Sequence, residues 1–262
     1  MPKTVVITGA GTGIGEACAR RLATQGANLV LIGRRPEPLH RVAAVTGGLI
    51  LVGDAADSQT WAGFTAAIVE RFGGIDALLA CAGGHGLGSA TETTDAGWQS
   101  AMRSNLDSAF YSARACLPLL AQRHGSIVLL GSIASLAAGP RVCGYTTAKH
   151  ALVGLTRSLA RDYGPQGVRV NCVCPGWVRT PMADEEMQPF INEYGDSLEA
   201  AYLRVTRDVP LRRPASAEEI ASVCDFLISD GASIITGANI VADGGSSIVD
   251  VPTLAYTQLG LS

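Results

Sequence analysis

The chain has 262 residues, 47% of them hydrophobic and 16% charged, and carries a formal net charge of −3. That apolar content fills a sizeable core and excludes a disordered chain, and the 31 glycines follow no three-residue period, which excludes collagen. The charge balance leaves no basic footprint for nucleic acid, and no apolar run is long enough to span a membrane.

From Met1 the chain passes directly into a strand-like run, Val5 to Thr8, without the basic start and long apolar stretch of a signal peptide. A helix is predicted over about 14–24, with Ile14, Ala17, Cys18 and Leu22 on one face. Apolar runs at 29–32 and 49–52 read as strands. Ser58 is a candidate cap for a helix reaching Phe72, with Trp61, Phe64, Ile68 and Val69 facing inward. Further strands are predicted at 77–81, 126–130, 168–173 and 238–242, and helices near 95–104, 106–123, 145–163 and 216–229. Short apolar strands alternating with helices predict a parallel sheet covered on both faces. The fold expected over 1–262 is therefore a single doubly wound, Rossmann-type α/β domain with a mostly parallel, seven-stranded sheet. Residues 181–215, weakly patterned, form its one large insertion. Seven cysteines, with Cys172 and Cys174 one residue apart, read as buried free thiols of a cytoplasmic protein.

After the first strand comes Thr8-Gly9-Ala10-Gly11-Thr12-Gly13-Ile14-Gly15, opening a helix. Glycines let the backbone turn sharply and approach a diphosphate, and the helix start offers free N–H donors and a partial positive charge. The spacing is T-G-x-x-x-G-x-G rather than G-x-G-x-x-G.

Tyr145 and Lys149 stand four apart on a predicted helix and share a face. A neighbouring ammonium favours tyrosinate, so the pair can move a proton near neutral pH. Ser132 lies just past the 126–130 strand, at the sheet end where doubly wound folds bind ligands, and can polarise a carbonyl oxygen. Ser135 is its competitor.

With these motifs in place, the chain resembles a short-chain dehydrogenase/reductase over essentially its full length. The resemblance implies a nicotinamide cofactor held by Gly9, Gly11, Thr12, Gly13, Ile14 and Gly15, and a catalytic set of Asn105, Ser132, Tyr145 and Lys149. It implies that Asp54, with Ala55, meets the adenine, and that Cys81, Ala82 and Gly83 run beside the adenosine ribose. Pro175, Gly176, Val178 and Thr180 match the segment that holds the nicotinamide carboxamide, and Asp243-Gly244-Gly245 matches a C-terminal turn. Tyr145 and Lys149 also border the nicotinamide ribose. Ala80-Cys81-Ala82-Gly83 departs from the family's Asn-Asn-Ala-Gly, removing a structural hydrogen bond and a side-chain contact near the ribose.

The second strand ends Gly33-Arg34-Arg35. With glycine in place of the usual acid, and two arginines following, NADP(H) is expected over NAD(H), which stays possible. The expected reaction interconverts a ketone and a secondary alcohol. A cofactor-binding sensor, or a dehydratase or epimerase on the same fold, is the alternative. The resemblance also implies a homotetramer built on the helices near 106–123 and 145–163, with the tail 251–262 at a second interface.

His85, in a glycine-rich loop, either contacts substrate or is solvated. His150 and Trp98 read as structural, and Asp184-Glu185-Glu186 as a solvated helix start rather than a metal site. Met182, Met187, Phe190, Ile191, Tyr194, Leu198, Tyr202 and Leu203 either line a lid over a moderately apolar substrate or pack on the body.

Overall fold

The computed structural model describes residues 2–259. Seven short apolar runs become strands: Thr4–Thr8 (β1), Asn28–Gly33 (β2), Leu49–Val52 (β3), Ala77–Ala80 (β4), Ser126–Leu130 (β5), Arg169–Pro175 (β6) and Asn239–Ala242 (β7). They form one sheet in the order β3-β2-β1-β4-β5-β6-β7, with every neighbouring pair parallel. The sheet expected as mostly parallel is thus wholly parallel among the described residues.

Successive residues of a strand face opposite sides, so each strand feeds two cores. Val6, Leu78 and Ile127 pack on one face beneath Thr60–Phe72 (α3 below), Ser108–Gln122 and Cys143–Tyr163. Val5, Ile7, Leu79 and Val128 pack on the other, beneath Gly13–Thr24 and Ala217–Ile228. In chain order the helices are Gly13–Thr24 (α1), Pro36–Thr46 (α2), Thr60–Phe72 (α3), Asp95–Met102 (α4), Ser108–Gln122 (α5), Cys143–Tyr163 (α6), Pro181–Tyr194 (α7), Leu198–Val205 (α8), Ala217–Ile228 (α9) and Leu254–Gln258 (α10). The strand order reverses between β1 and β4. The loops leaving these two strands part there and open the crevice in which such folds bind ligands.

Several elements differ from the sequence expectations. Helix α2 was not predicted, because only Leu39 and Val42 are buried on it, too narrow a stripe to show a period. Ser58 does not cap α3: Gln59 precedes the helix, with its N–H bonded to the Asp57 carboxylate at 3.0 Å. Val69 is 42% exposed, and Trp98 is 39% exposed rather than packed. The helices expected at 95–104 and 106–123 are one continuous run, interrupted by a π-helical turn over Arg103–Asp107. The insertion 181–215 folds as α7 and α8 with a small core of its own, in which Met187 and Tyr202 are buried while Tyr194, Leu198 and Leu203 stay exposed. Cys81 and Cys143 are half-buried, the other five cysteines buried, and all seven are free. Of the tail expected at an interface, residues 260–262 lie outside the described residues, as does Met1.

Candidate active site

The loop between β1 and α1 is shaped by contacts that only glycine allows. Gly9 and Gly13 have φ of +65° and +55°. A Cβ on Gly15 would sit 2.3 Å from the Gly9 carbonyl oxygen, and one on Gly9 would sit 3.0 Å from the Ala82 backbone. The Ala82 N–H donates to the Thr8 hydroxyl at 3.1 Å, which ties the loop after β4 to β1. Thr12 precedes α1 with extended backbone and makes no side-chain capping bond, so no side chain covers the first N–H groups of the helix. A tight backbone cradle with uncapped donors fits a nucleotide diphosphate.

At the end of β2 stands Gly33, followed by exposed Arg34 and Arg35. Asp54, past β3, accepts from the Ala56 N–H at 2.9 Å and from the Arg103 guanidinium at 2.9 Å. Burial pushes its carboxyl up, but the Ala56 N–H, Arg103 and, at longer range, Arg34 outweigh this and hold it below the usual carboxylate range. Ala55 beside it is buried, its carbonyl accepting from the Trp61 indole at 3.0 Å.

The four expected catalytic residues converge beyond the ends of β4 and β5. Ser132 caps the short 3₁₀ turn Ile133–Ser135: its hydroxyl accepts from the Ala134 N–H at 3.1 Å, and the Ser135 hydroxyl accepts from the Ser132 N–H at 3.1 Å. This separates the two serines. Ser135 is buried and fixes the backbone, while Ser132 is half-buried and near enough to the Tyr145 phenol to draw its titration down. Lys149, on the same face of α6, donates to the Leu130 carbonyl at 2.7 Å, and its Nζ lies 5.5 Å from the centre of the Tyr145 ring. Burial lowers Lys149 to about 8, against the opposing pull of the Cys172, Cys81 and Cys174 thiols. Burial raises Tyr145, Ser132 pulls it down, and the Glu186 carboxylate pushes it up. The expected lowering of the phenol by Lys149 is not met in this geometry, because desolvation dominates.

Asn105 sits in the π turn, where one extra residue in the helix turns its side chain toward the sheet. Its amide donates to the Gly84 and Ala101 carbonyls at 3.0 Å each, and its oxygen accepts from the Gly84 N–H at 3.2 Å. A Cβ on Gly83 would stand 3.1 Å from Asn105 Oδ1 and 3.7 Å from Lys149 Nζ, so both side chains meet over that glycine. Cys81 and Ala82 lead into it, half-buried.

On the other side of the crevice, Gly176 is pressed against Asp243, whose carboxylate accepts from the Gly245 N–H at 2.8 Å. Pro175 ends β6, and Val178 bridges to Ala215. Thr180 caps α7 by accepting from the Ala183 N–H at 3.3 Å, and its methyl lies 3.1 Å from a Cβ placed on Gly13. The residues expected to hold the two ends of a dinucleotide therefore border one crevice. A family profile described as enoyl-(acyl carrier protein) reductase matches residues 9–247.

The chain is a short-chain dehydrogenase/reductase. It is 54% identical to Protein MoaE of Klebsiella aerogenes, over 98% of this chain and 100% of that protein. It is 38% identical to meso-2,3-butanediol dehydrogenase of Serratia marcescens, over 95% of this chain and 96% of that one. Among solved structures it resembles levodione reductase (33% identity, TM-score 0.89, 95% and 98% covered). It also resembles the L-sorbose reductase of Gluconobacter frateurii complexed with NADPH and L-sorbose (29% identity, TM-score 0.87, 93% and 96% covered). The short-chain dehydrogenase/reductase fold and its oxidoreductase class are thereby shown for this chain.

Three parts of this dehydrogenase/reductase site carried no sequence signal. Arg103 pairs with Asp54 across 49 positions. The Leu130 and Gly86 carbonyls receive Lys149 and the Tyr145 N–H through the backbone, which any residue supplies. The solvated helix start expected at Asp184-Glu185-Glu186 is instead engaged. Asp184 accepts from the Tyr202 hydroxyl at 2.7 Å, and Glu186 and Glu185 meet His85 at 3.1 and 3.4 Å. No helix among the described residues is long and apolar enough to cross a membrane.

Proposed function

We propose that this chain interconverts a small ketone and the corresponding secondary alcohol, using NADP(H) in preference to NAD(H). The observation that carries this reading is the convergence of Ser132, Tyr145 and Lys149 beyond β5, with the glycine cradle on the same crevice. A nicotinamide nucleotide, when bound, supplies or accepts the hydride. Gly9 to Gly15 hold its diphosphate, Arg34 and Arg35 its 2′-phosphate, Asp54 and Ala55 its adenine. Cys81 to Gly83, together with Pro175, Gly176, Val178 and Thr180, border the rest.

Ser132 orients the substrate oxygen by a hydrogen bond. Tyr145, kept protonated by its burial, gives a proton to that oxygen in reduction and takes it back in oxidation. Lys149, lowered to about 8 and fixed to the Leu130 carbonyl, exchanges protons near neutral pH and restores the tyrosine. Asn105, tied to both backbone groups of Gly84, holds the route from Lys149 toward solvent. The α7–α8 insertion closes over the substrate. Meso-2,3-butanediol and levodione, the compounds in the names of two relatives given above, are the first to assay, followed by other cyclic ketones and 3-oxoacyl compounds. Free thiols, with Cys172 and Cys174 Sγ atoms 3.8 Å apart, fit a reducing cytoplasm.

Tyr145→Phe keeps the ring and removes only the proton. It is expected to cut kcat by roughly 10²–10⁴-fold while nucleotide binding survives, read as nicotinamide absorbance against the substrate panel. Near wild-type turnover would remove Tyr145 from this role. We further propose a homotetramer: Phe110 on α5 is 38% exposed with Arg114 stacked over its ring, an aromatic-arginine patch suited to a two-fold contact. Sedimentation at micromolar concentration should show four copies, and a stable monomer overturns it.

A further inference from the structure

The loop from Gly83 to Gly88 touches nearly everything that matters in the site. Its Gly84 carries Asn105, its Gly86 carbonyl accepts from the Tyr145 N–H at 3.2 Å, and its Gly88 bridges to Val142 at the start of α6. A Cβ on Gly86 would fall 2.4 Å from the Tyr145 nitrogen, so the loop lies directly against the backbone of the tyrosine. Glycines fill this loop, and its one long polar side chain is His85, which turns toward α7. Its Nδ1 lies 3.1 Å from Glu186 Oε1 and its Nε2 lies 3.4 Å from Glu185 Oε2. The side chains of His85 and Glu186 are 35% and 33% exposed, whereas that of Glu185 is 74% exposed. The inner pair, His85 with Glu186, is therefore the one shielded from solvent screening.

We infer that His85 and Glu186 are positioning residues for the proposed reaction: they clasp the lid helix α7 onto the loop that backs Tyr145, and hold the Glu186 carboxylate toward the phenol. This rests on the reading of Tyr145 as the proton donor. The groups that bear on the clasp come from each neighbouring element. The loop gives His85, α6 gives Tyr145 and Lys149, whose Nζ lies 5.5 Å from the centre of the Tyr145 ring, and the turn after β5 gives Ser132. Helix α7 gives Glu185, Glu186 and Asp184, and Asp184 is engaged by Tyr202 of α8. Arg179 stacks over the Tyr202 ring and pairs with Glu199, so its charge is spent away from Glu186. The clasp has two consequences. When the lid opens, His85 loses both carboxylates and the loop under Tyr145 loses its outer support. When the lid is shut, a negative charge faces the phenol, which disfavours tyrosinate and keeps the proton on the donor. The same charge repels an anionic group on the alcohol side of a substrate, so neutral or cationic small alcohols and ketones fit the closed site better than carboxylates.

The test needs no substrate, so it is separate from any failure of the functional reading, which Tyr145→Phe kinetics decide. Amide hydrogen exchange is followed in the full chain for His85→Gln and Glu186→Gln. The tyrosinate absorbance of each is titrated against the same protein carrying Tyr145→Phe. Exchange over 181–194 and over 84–88 should accelerate together, by roughly two- to five-fold, in both variants, and no further in the double variant. The Tyr145 titration should move to lower pH in Glu186→Gln, and in the same direction but less far in His85→Gln, which frees the carboxylate without removing its charge. Unchanged exchange in both segments, fully additive effects in the double variant, or an unmoved Tyr145 titration in Glu186→Gln would each overturn the inference. Should Glu186→Gln fold poorly, Glu186→Asp, which keeps the charge but shortens the reach, should still loosen α7 while leaving the titration nearer wild type.

Discussion

The glycine loop between β1 and α1 and the α7–α8 lid face each other across the crevice, meeting where Gly13 approaches the Thr180 methyl, yet they are held in different ways. The loop is fixed by backbone geometry: φ of +65° at Gly9 and +55° at Gly13, the Gly15 contact with the Gly9 carbonyl, and the Ala10 N–H bonded to the Ile32 carbonyl at 3.2 Å. It rises from β1, every residue of which is buried. The lid is fixed by side chains: four buried residues in a core of its own, the Tyr202–Asp184 bond, the Arg204–Asp196 pair and the His85 clasp. Backbone constraints of the first kind yield only if the strand and turn around them move together. A small core apart from the sheet can open without unfolding the sheet. The glycine loop is thus a rigid seat, and the α7–α8 insertion a part that can move.

The largest expected effect follows from the seat. In Gly15→Ala the new methyl lies 2.3 Å from the Gly9 carbonyl oxygen, a backbone atom that cannot step aside without reshaping the whole cradle. Stability should fall by about 3 kcal/mol, at the upper end for overpacking, and nucleotide affinity by more than ~10-fold. Thermal melting and a nucleotide titration check this. A variant that binds NADPH normally would mean that the cradle is softer than the lid, reversing the comparison.

The same contrast explains what the sequence showed beforehand. The cradle was legible because glycine is demanded at each tight point, and Tyr145 with Lys149 because a helix fixes their shared face. All seven strands were read to within about two residues, because apolar runs between helices leave little choice; β6 differs most, running on to Pro175. The π turn at Asn105 was not legible: nothing in Ser104-Asn105-Leu106 shows that the helix widens there. Nor was the pairing of His85 with Glu186, since charges 101 positions apart carry no local pattern. The lid residues could not be sorted either. Met187 and Tyr202 turn inward while Leu198 and Leu203 turn out, a choice made by how α7 and α8 pack on each other.

A middle-sized effect tests the lid. Met187 is fully buried, but in the small cluster with Ala183, Ala201 and Tyr202 rather than in either sheet core. Met187→Ala should cost about 2 kcal/mol, the low end for a buried methionine, and the loss should appear as local opening. Amide exchange over 181–205 should accelerate and substrate KM should rise, with the main melting transition little moved and NADPH affinity kept. A melting shift as large as that of a sheet-core truncation such as Leu78→Ala would show that the lid is part of the main cooperative unit.

The smallest effect concerns the end of β2, where an arginine side chain adds to the backbone seat. The Gly33 carbonyl accepts from the Gly53 N–H at 2.9 Å, so the backbone at the end of β2 is pinned. A Cβ on Gly33 would meet only the Leu39 side chain, at 3.5 Å, an ordinary contact. An aspartate therefore fits there without disturbing the fold. It would place a carboxylate where ribose hydroxyls are welcomed and a 2′-phosphate is repelled. Arg34 is exposed and near enough to Asp54 to contribute to the lowering of its carboxyl. A guanidinium there can take the phosphate through paired N–H bonds, which a bare backbone cannot. Arg34→Ala should raise KM for NADP(H) by about tenfold, roughly 1.4 kcal/mol, and leave NAD(H) nearly unaffected. Asp54 keeps its partner Arg103 in that variant, so the adenine side should hold its shape. Gly33→Asp should move kcat/KM toward NAD(H) by a similar factor, and the two changes together should add little beyond the first, because both act on one phosphate. Equal or better efficiency with NAD(H) in the unmutated protein would overturn the preference, and would leave the backbone seat and the Tyr145 chemistry standing.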